Sequence, residues 1–131
     1  MIYGTGIDIV EVQRMAHIIA RWGDRFLNRV FSPGEIEYCR KCALPAMHYA
    51  ARFAAKESFL KSLGMGLGMG LVLSEIEVAK DHRGKPIISL QGRTQSILNH
   101  LEVSVAHLSL SHTQQIATAV VVLEKAGCSH A

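Results

Sequence analysis

Two carboxylates and several cations stand where the surrounding pattern argues against charge. Asp8 is a bare carboxylate inside an apolar, β-branched run, flanked by Ile7 and Ile9. A carboxylate in such a setting pairs with something or coordinates a cation, unless the strand ends there and Asp8 serves as a turn or cap residue. Far along the chain, Glu57 and Lys61 are spaced i,i+4 beside Ala50 and Ala54, whose small side chains leave room above them. Taken alone, that spacing is also that of an ordinary helical surface pair worth about 0.2–0.5 kcal/mol. Arg52 and Lys56 fall inside an apolar arc of Tyr49, Phe53, Phe59, Leu60 and Leu63, where charge is costly unless partnered. The run GMGLGMG at 64–70 follows directly and reads as a flexible loop. Three cations beside exposed loop N–H groups, those of Gly64 and Gly66 among them, suit an anionic ligand such as a phosphate or pyrophosphate. Asp8 and Glu57, if brought together, supply the one or two carboxylates that Mg²⁺ takes, with water and phosphate completing its shell. The run lacks the GxxxxGK[ST] order and does not follow a strand, so it is neither a P-loop nor a dinucleotide-binding turn.

Three further groups deserve weighing. His107 alternates with Val103, Val105, Ser109 and Ser111 on one face of a predicted strand, and His112 lies just past that strand. Arg14, Arg21, Arg25 and Arg29 recur at helical spacing around Ile18 and Phe26. Such a stripe is either a solvated face or a surface for an acidic protein helix. Nucleic acid is the poorer partner, for want of interleaved aromatics. Cys39 and Cys42 form a CxxC without the further ligands zinc needs, and late in a predicted helix, so the pair reads as incidental.

The elements that must position these residues follow from local pattern. Residues 2–10 read as a buried strand, and a helix follows over Val12–Trp22, stopped by Gly23. Ser32-Pro33-Gly34-Glu35 is a capping box with proline at the first helical position. His48–Leu63 reads as a helix with Gly64 at its C-cap, Val72–Ala79 and Ile87–Leu90 as a hairpin, and Thr94–His100 as a short helix. Val103–Leu110 and Ile116–Leu123 read as two more strands. This order predicts an α+β domain, a mainly antiparallel sheet with helices packed on one face. The 131 residues, 49% apolar and 19% charged with a net charge of +3, suit one folded domain over 1–131 and exclude a disordered chain. Residues 125–131 read as a flexible tail. Apolar stretches fall short of the roughly 18 residues a membrane span needs. Three cysteines and no visible secretory leader point to reduced thiols in a cytoplasm.

The opening GIDIVEVQRM, the block RFAAKESFLKSLGMGLG, the turn-bearing GKP and the closing HLSLSHTQQIATAVVV occur in order over Ile2–Glu124. Together they resemble the holo-acyl carrier protein synthase family, small 4′-phosphopantetheinyl transferases with an α+β fold of their own. The resemblance implies transfer of the 4′-phosphopantetheine arm of coenzyme A to a serine of apo-acyl carrier protein, in support of fatty acid synthesis. It implies Mg²⁺ held by Asp8 and Glu57, and pyrophosphate contacted by Lys61. It implies that Arg52 and His107 hold the 3′-phosphate end of the nucleotide. It also implies a homotrimer with active sites between subunits, and docking of the acidic carrier protein on the helix carrying Arg14, Arg21, Arg25 and Arg29. Met69 stands where family members often carry a basic residue. The alternative is a non-catalytic coenzyme A-binding module, which has no need of two carboxylates that repel a pyrophosphate unless a metal intervenes.

Overall fold

Strand β1 (Ile2–Glu11) pairs antiparallel with β5 (Ile116–Lys125), and β5 pairs antiparallel with β4 (Val103–His112), giving a sheet of order β1-β5-β4. In the computed structural model, which describes residues 1–64 and 70–127, β2 (Ile76–Lys80) and β3 (Pro86–Leu90) form a separate antiparallel hairpin. Asp81 shapes its turn, accepting hydrogen bonds from the Arg83 and Lys85 N–H groups through Oδ1. The helices are α1 (Val12–Trp22), α2 (Asp24–Val30), α3 (Pro33–Arg40), α4 (Pro45–Leu63) and α5 (Gly92–His100). The fold is therefore α+β with antiparallel pairing throughout, as the element order predicts. The loop residues 65–69, Gly66 and Met69 among them, and residues 128–131 lie outside the described residues.

The capping box at the start of α3 forms in full. The Ser32 hydroxyl accepts from the Glu35 N–H, and the Glu35 carboxylate accepts from the Ser32 N–H. Several boundaries differ from the sequence reading. A helix, α2, occupies residues 24–30, because Gly23 at φ 56° breaks the chain direction and lets a new helix start at once. The first strand of the hairpin is shorter than expected, being preceded by a 3₁₀ turn over Leu73–Glu75. β4 runs on through His112, and β5 through Lys125, whose N–H still donates to the Met1 carbonyl. A register shift between Val103 and Val105 flips the alternation, so Val103 is buried while Val105 and His107 face outward.

Helix α4 is the centre of the molecule. Ala50, Ala51, Ala54 and Ala55 are buried along with Tyr49, Phe59, Leu60 and Leu63, so the helix has no solvated side along most of its length. Its charged residues must then be partnered inside. Lys56 is fully enclosed and donates to Glu35 Oε1 (2.7 Å), the Leu73 carbonyl (2.9 Å) and the Ile76 carbonyl (2.5 Å). The expectation that Lys56 serves an anionic ligand is thereby corrected. All three of its donors are spent on tying α4 to α3 and the hairpin.

The sheet lies unusually close to this helix. Gly4 and Gly6 face α4, and a Cβ at either would strike the carbonyl oxygen of Ser62 or Ser58. The Ser58 hydroxyl donates to the Ala119 carbonyl on β5 (2.9 Å), fixing the helix against the middle strand. Gly6→Ala should lower unfolding stability by about 1–3 kcal/mol, since the backbone must move to admit one methyl. Thr5→Ala, on the exposed side of the same strand, should cost less than about 0.5 kcal/mol. Urea midpoints would check this, and equal midpoints for the two variants would refute the close-approach account.

Candidate active site

On a strand, residues 4, 6 and 8 share one face, so the close approach of Gly4 and Gly6 to α4 carries Asp8 to the same helix. There the Lys61 ammonium donates to Asp8 Oδ1 (3.0 Å) and to the Ile7 carbonyl (3.0 Å). The Thr118 hydroxyl on β5 donates to the Asp8 carbonyl (2.8 Å), so the backbone at this point is held from both sides. Asp8 keeps only 18% of its side chain exposed, whereas Lys61 keeps 55%. Glu57 lies one turn before Lys61 and lines the same cleft as Asp8. Its carboxyl is pushed above the usual carboxylate range, first by burial and then by the negative charge of Asp8, with Lys61 partly countering both. The Asp8–Lys61–Glu57 convergence therefore joins residues that spacing alone could not bring together.

The cleft measures about 550 Å³ and is walled by Val10, Met15, Ile18 and Phe53, with Arg14 at its border. Two carboxylates facing one cleft suit a cation, and the ammonium beside them suits an anion bound next to it. Among the described residues no third His, Cys, Asp or Glu joins them in a cluster. Two carboxylates is the donor number with which Mg²⁺ is held when phosphate and water supply the remainder. The donor set fits that ion.

The other residues singled out in the sequence are distributed elsewhere. Arg14 and Arg21 lie on α1, but Arg25 and Arg29 lie on α2, because Gly23 divides the stripe. The two helices together border a groove floored by Ile18, Trp22 and Phe26, with Arg25 and Arg29 at its edge. Arg52 sits on the side of α4 that faces α3 and the hairpin, away from Glu57 and Lys61, with its guanidinium 4.4 Å from the centre of the Tyr38 ring. His107 is on the outer face of the sheet, paired with Glu124 across the strands. Gly64 adopts the left-handed C-cap conformation, and its N–H donates to the Lys61 carbonyl (3.0 Å), so in this structure it ends the helix rather than presenting a donor. Cys39 is fully buried, and burial pushes its thiol up to about 12, so it carries no thiolate at neutral pH.

Sequence reasoning missed one cluster. Tyr38, His48 and His112 form a chain of ring contacts, each 6.0 Å between centroids, next to Arg52 and Lys80. A signal for it existed. Tyr38 follows Glu35 by three residues, and Arg52 precedes Lys56 by four, so each shares a helix face with one half of the buried pair. Once Glu35 meets Lys56, Tyr38 must meet Arg52.

Comparison with known proteins bears on what this site does. The sequence profile of the 4′-phosphopantetheinyl transferase superfamily matches residues 4–121. The chain is 56% identical over 124 residues to the holo-[acyl-carrier-protein] synthase of Syntrophus aciditrophicus, covering 95% of this chain and 97% of that protein. Its fold is similar to the crystal structure of holo-[acyl-carrier-protein] synthase from Neisseria meningitidis, with a TM-score of 0.89 and 33% identity over 95% of this chain and all of that one (100%). It is likewise similar to the Bacillus anthracis holo-(acyl-carrier-protein) synthase in complex with CoA (3′,5′-ADP), with a TM-score of 0.79 and 35% identity over 96% of this chain and 99% of that one. With a matching profile over most of its length and this close a relative along nearly all of it, the chain belongs to the holo-[acyl-carrier-protein] synthase family of the 4′-phosphopantetheinyl transferase superfamily.

Proposed function

We infer that the protein is a single-domain transferase that moves 4′-phosphopantetheine from coenzyme A to a serine of apo-acyl carrier protein, releasing adenosine 3′,5′-bisphosphate. The observation that carries the reading is the convergence of Asp8, Glu57 and Lys61 at one end of a cleft, in a chain of this family. Asp8 and Glu57 would hold Mg²⁺, which when bound neutralises pyrophosphate charge and polarises the phosphorus under attack. Lys61 stabilises negative charge on the departing bisphosphate. The attacking hydroxyl belongs to the partner, so this chain needs only a group to receive its proton. Glu57, directly or through a water, is the group we assign to receive it. The enzyme would serve fatty acid synthesis in the cytoplasm. Among the described residues no helix is long and apolar enough to cross a membrane.

The carrier protein, an acidic partner, docks on the α1–α2 surface. Arg21, Arg25 and Arg29 steer it, and Arg14, at the border of the cleft, meets it nearest the carboxylates. The nucleotide end of coenzyme A meets Arg52, with His107 as the expected second contact and His112 the nearer histidine by ring contact. Arg52 and the carboxylates lie on different sides of α4, which supports a reading in which a second copy brings its own Arg52 to this cleft. The outer face of the sheet supports such a homotrimer. Ile7 and Ile9 are each 65% exposed there, with the exposed Val120 opposite Ile7 on β5, apolar surface of the kind that marks an interface.

Three measurements test this reading. Intact mass spectrometry of apo-carrier protein incubated with coenzyme A, Mg²⁺ and the enzyme should show the added phosphopantetheine mass, and EDTA should abolish it. Asp8→Ala and Glu57→Ala should each lower kcat/KM by at least about 100-fold with the fold intact, and near-normal activity in either would overturn the site. Arg21→Glu should raise KM for the carrier protein about tenfold, while KM for coenzyme A moves less than about twofold. An equal rise for both substrates would refute the docking surface. A separate expectation concerns pH. Glu57 has a raised folded-state pKa, so its contribution to stability is complete below the unfolded value and is lost as pH rises through the folded one. In EDTA, Glu57→Gln should therefore unfold at higher urea than the parent at pH 7.5, and the gap should close towards pH 4. A parent protein as stable as the variant at pH 7.5 would show that neither burial nor Asp8 penalises the Glu57 carboxylate.

A further inference from the structure

On the side of α4 away from the carboxylates, Tyr38 gathers two cations. The Arg52 guanidinium lies against its ring at 4.4 Å from the centroid, and the Lys80 ammonium donates to its hydroxyl oxygen at 2.5 Å. Lys80 sits at the hydroxyl end rather than over the ring face, since its Nζ stays 4.8 Å from the centroid. Among the described residues neither cation forms an ion pair with a carboxylate. Arg52 is only 5% exposed, and its Nε is buried without a hydrogen-bond partner. A buried donor left unpaired is costly, and a ligand acceptor would relieve it.

The two cations border a cleft of about 220 Å³ with Gly34 and Val78. Glu35 and Glu77 also border it, but both have internal partners. Glu35 accepts from Lys56 and from the Ser32 and Val78 N–H groups, and Glu77 accepts from the Ser32 hydroxyl. His48 feels the cations. Its pKa is lowered, by burial first and then by the charges of Arg52, His112 and Lys80. The region thus holds two cations without ion pairs and one carboxylate, Glu77, that meets a neutral hydroxyl rather than a cation, while the charge of Glu35 is taken up by Lys56.

We propose that Tyr38 is the positioning residue of a phosphate-monoester subsite, holding Arg52 and Lys80 together as a paired-cation clamp for the 3′-phosphate of coenzyme A. This rests on the reading that Arg52 meets that end of the nucleotide, and adds to it the residue that makes Arg52 usable. Two cations held side by side repel. The ring's negative face offsets the charge of Arg52, and the phenol oxygen offsets that of Lys80. A guanidinium held over a ring has less freedom to lose when phosphate arrives.

The test compares coenzyme A with 3′-dephospho-coenzyme A as donor substrates, using apo-carrier protein and Mg²⁺. Tyr38→Leu should raise KM for coenzyme A about tenfold, with kcat moving less than about twofold and KM for the dephospho substrate unchanged. Tyr38→Phe keeps the shelf under Arg52 but loses the acceptor for Lys80, so its effect should be smaller and should match that of Lys80→Met. Kinetics with the dephospho substrate report that each variant is folded, and Tyr38→Phe carries the test if Tyr38→Leu is not. Equal effects on both substrates, or none on either, would overturn the proposal. Arg52→Lys separates the two levels. If it does not discriminate between the substrates, the assignment of Arg52 fails and the clamp with it. If it discriminates and Tyr38→Leu does not, the positioning role alone falls.

Discussion

The contact between the backbone of β1 and the backbone of α4 governs the geometry of everything near the carboxylates. It exists because the facing positions are stripped of bulk. Gly4 and Gly6 face Ser62 and Ser58 on the helix, and Ala117 and Ala119 are buried on the neighbouring strand. Small facing residues bury little apolar area each, but they let the two backbones approach, and close packing gains dispersion contacts that a looser layer would lose. The consequence for chemistry is direct. A strand held this close sets Asp8 within hydrogen-bond reach of Lys61, and the Thr118 and Ser58 hydroxyls lock the strand and helix to β5. An ordinary strand-to-helix spacing, filled by side chains, would put the carboxylate out of reach.

The charges of α4 divide according to what each direction offers. Lys56 points into the molecule, where burial lowers its pKa and the Glu35 carboxylate works against that shift. Three acceptors satisfy it, and removal of either partner would leave a buried charge costing about 3–5 kcal/mol. Arg52, one turn earlier, meets a ring where Lys56 meets a carboxylate. Glu57 and Lys61 point towards β1 and the cleft. The same helix thus carries a structural ion pair, a cation without counter-charge and a reactive pair, and only the direction of each side chain tells them apart.

That division explains what was legible in the residues. The capping box, the Gly64 stop and the boundaries of α1 are local signals, and they fold as read. The charges of α4 were recognisable as anomalous from the apolar arc, but not which of them had internal partners, since Glu35 comes from another helix. The bulge before Val105 was invisible, because a single inserted residue leaves no compositional trace, and it moves His107 to the outer face. The division of the arginine stripe was legible in principle from Gly23. So was the close approach: Ala50, Ala54, Ser58 and Ser62 recur every four residues, and Gly4 and Gly6 every two, which are the periods of a bare helix stripe and a bare strand face.

A transferase of this kind has a particular geometric problem. Its nucleophile arrives on one macromolecule and its donor is a long, highly charged small molecule, so the reacting phosphorus needs an approach from each side. In the proposed assembly the two approaches do not compete. The basic α1–α2 surface leads to the cleft from one direction, and the Tyr38–Arg52–Lys80 surface of a second copy meets the nucleotide from the other. Within one chain α4 separates the cation cluster from the carboxylates, and both are held by the packing that makes α4 central. Rotating Arg52 towards Glu57 would break the face it shares with Lys56. The rigidity that places Asp8 against Lys61 is therefore the same rigidity that denies the site its own Arg52, and the apolar outer face, with Ile7 and Ile9 on the strand that carries Asp8, is where a second copy would supply one.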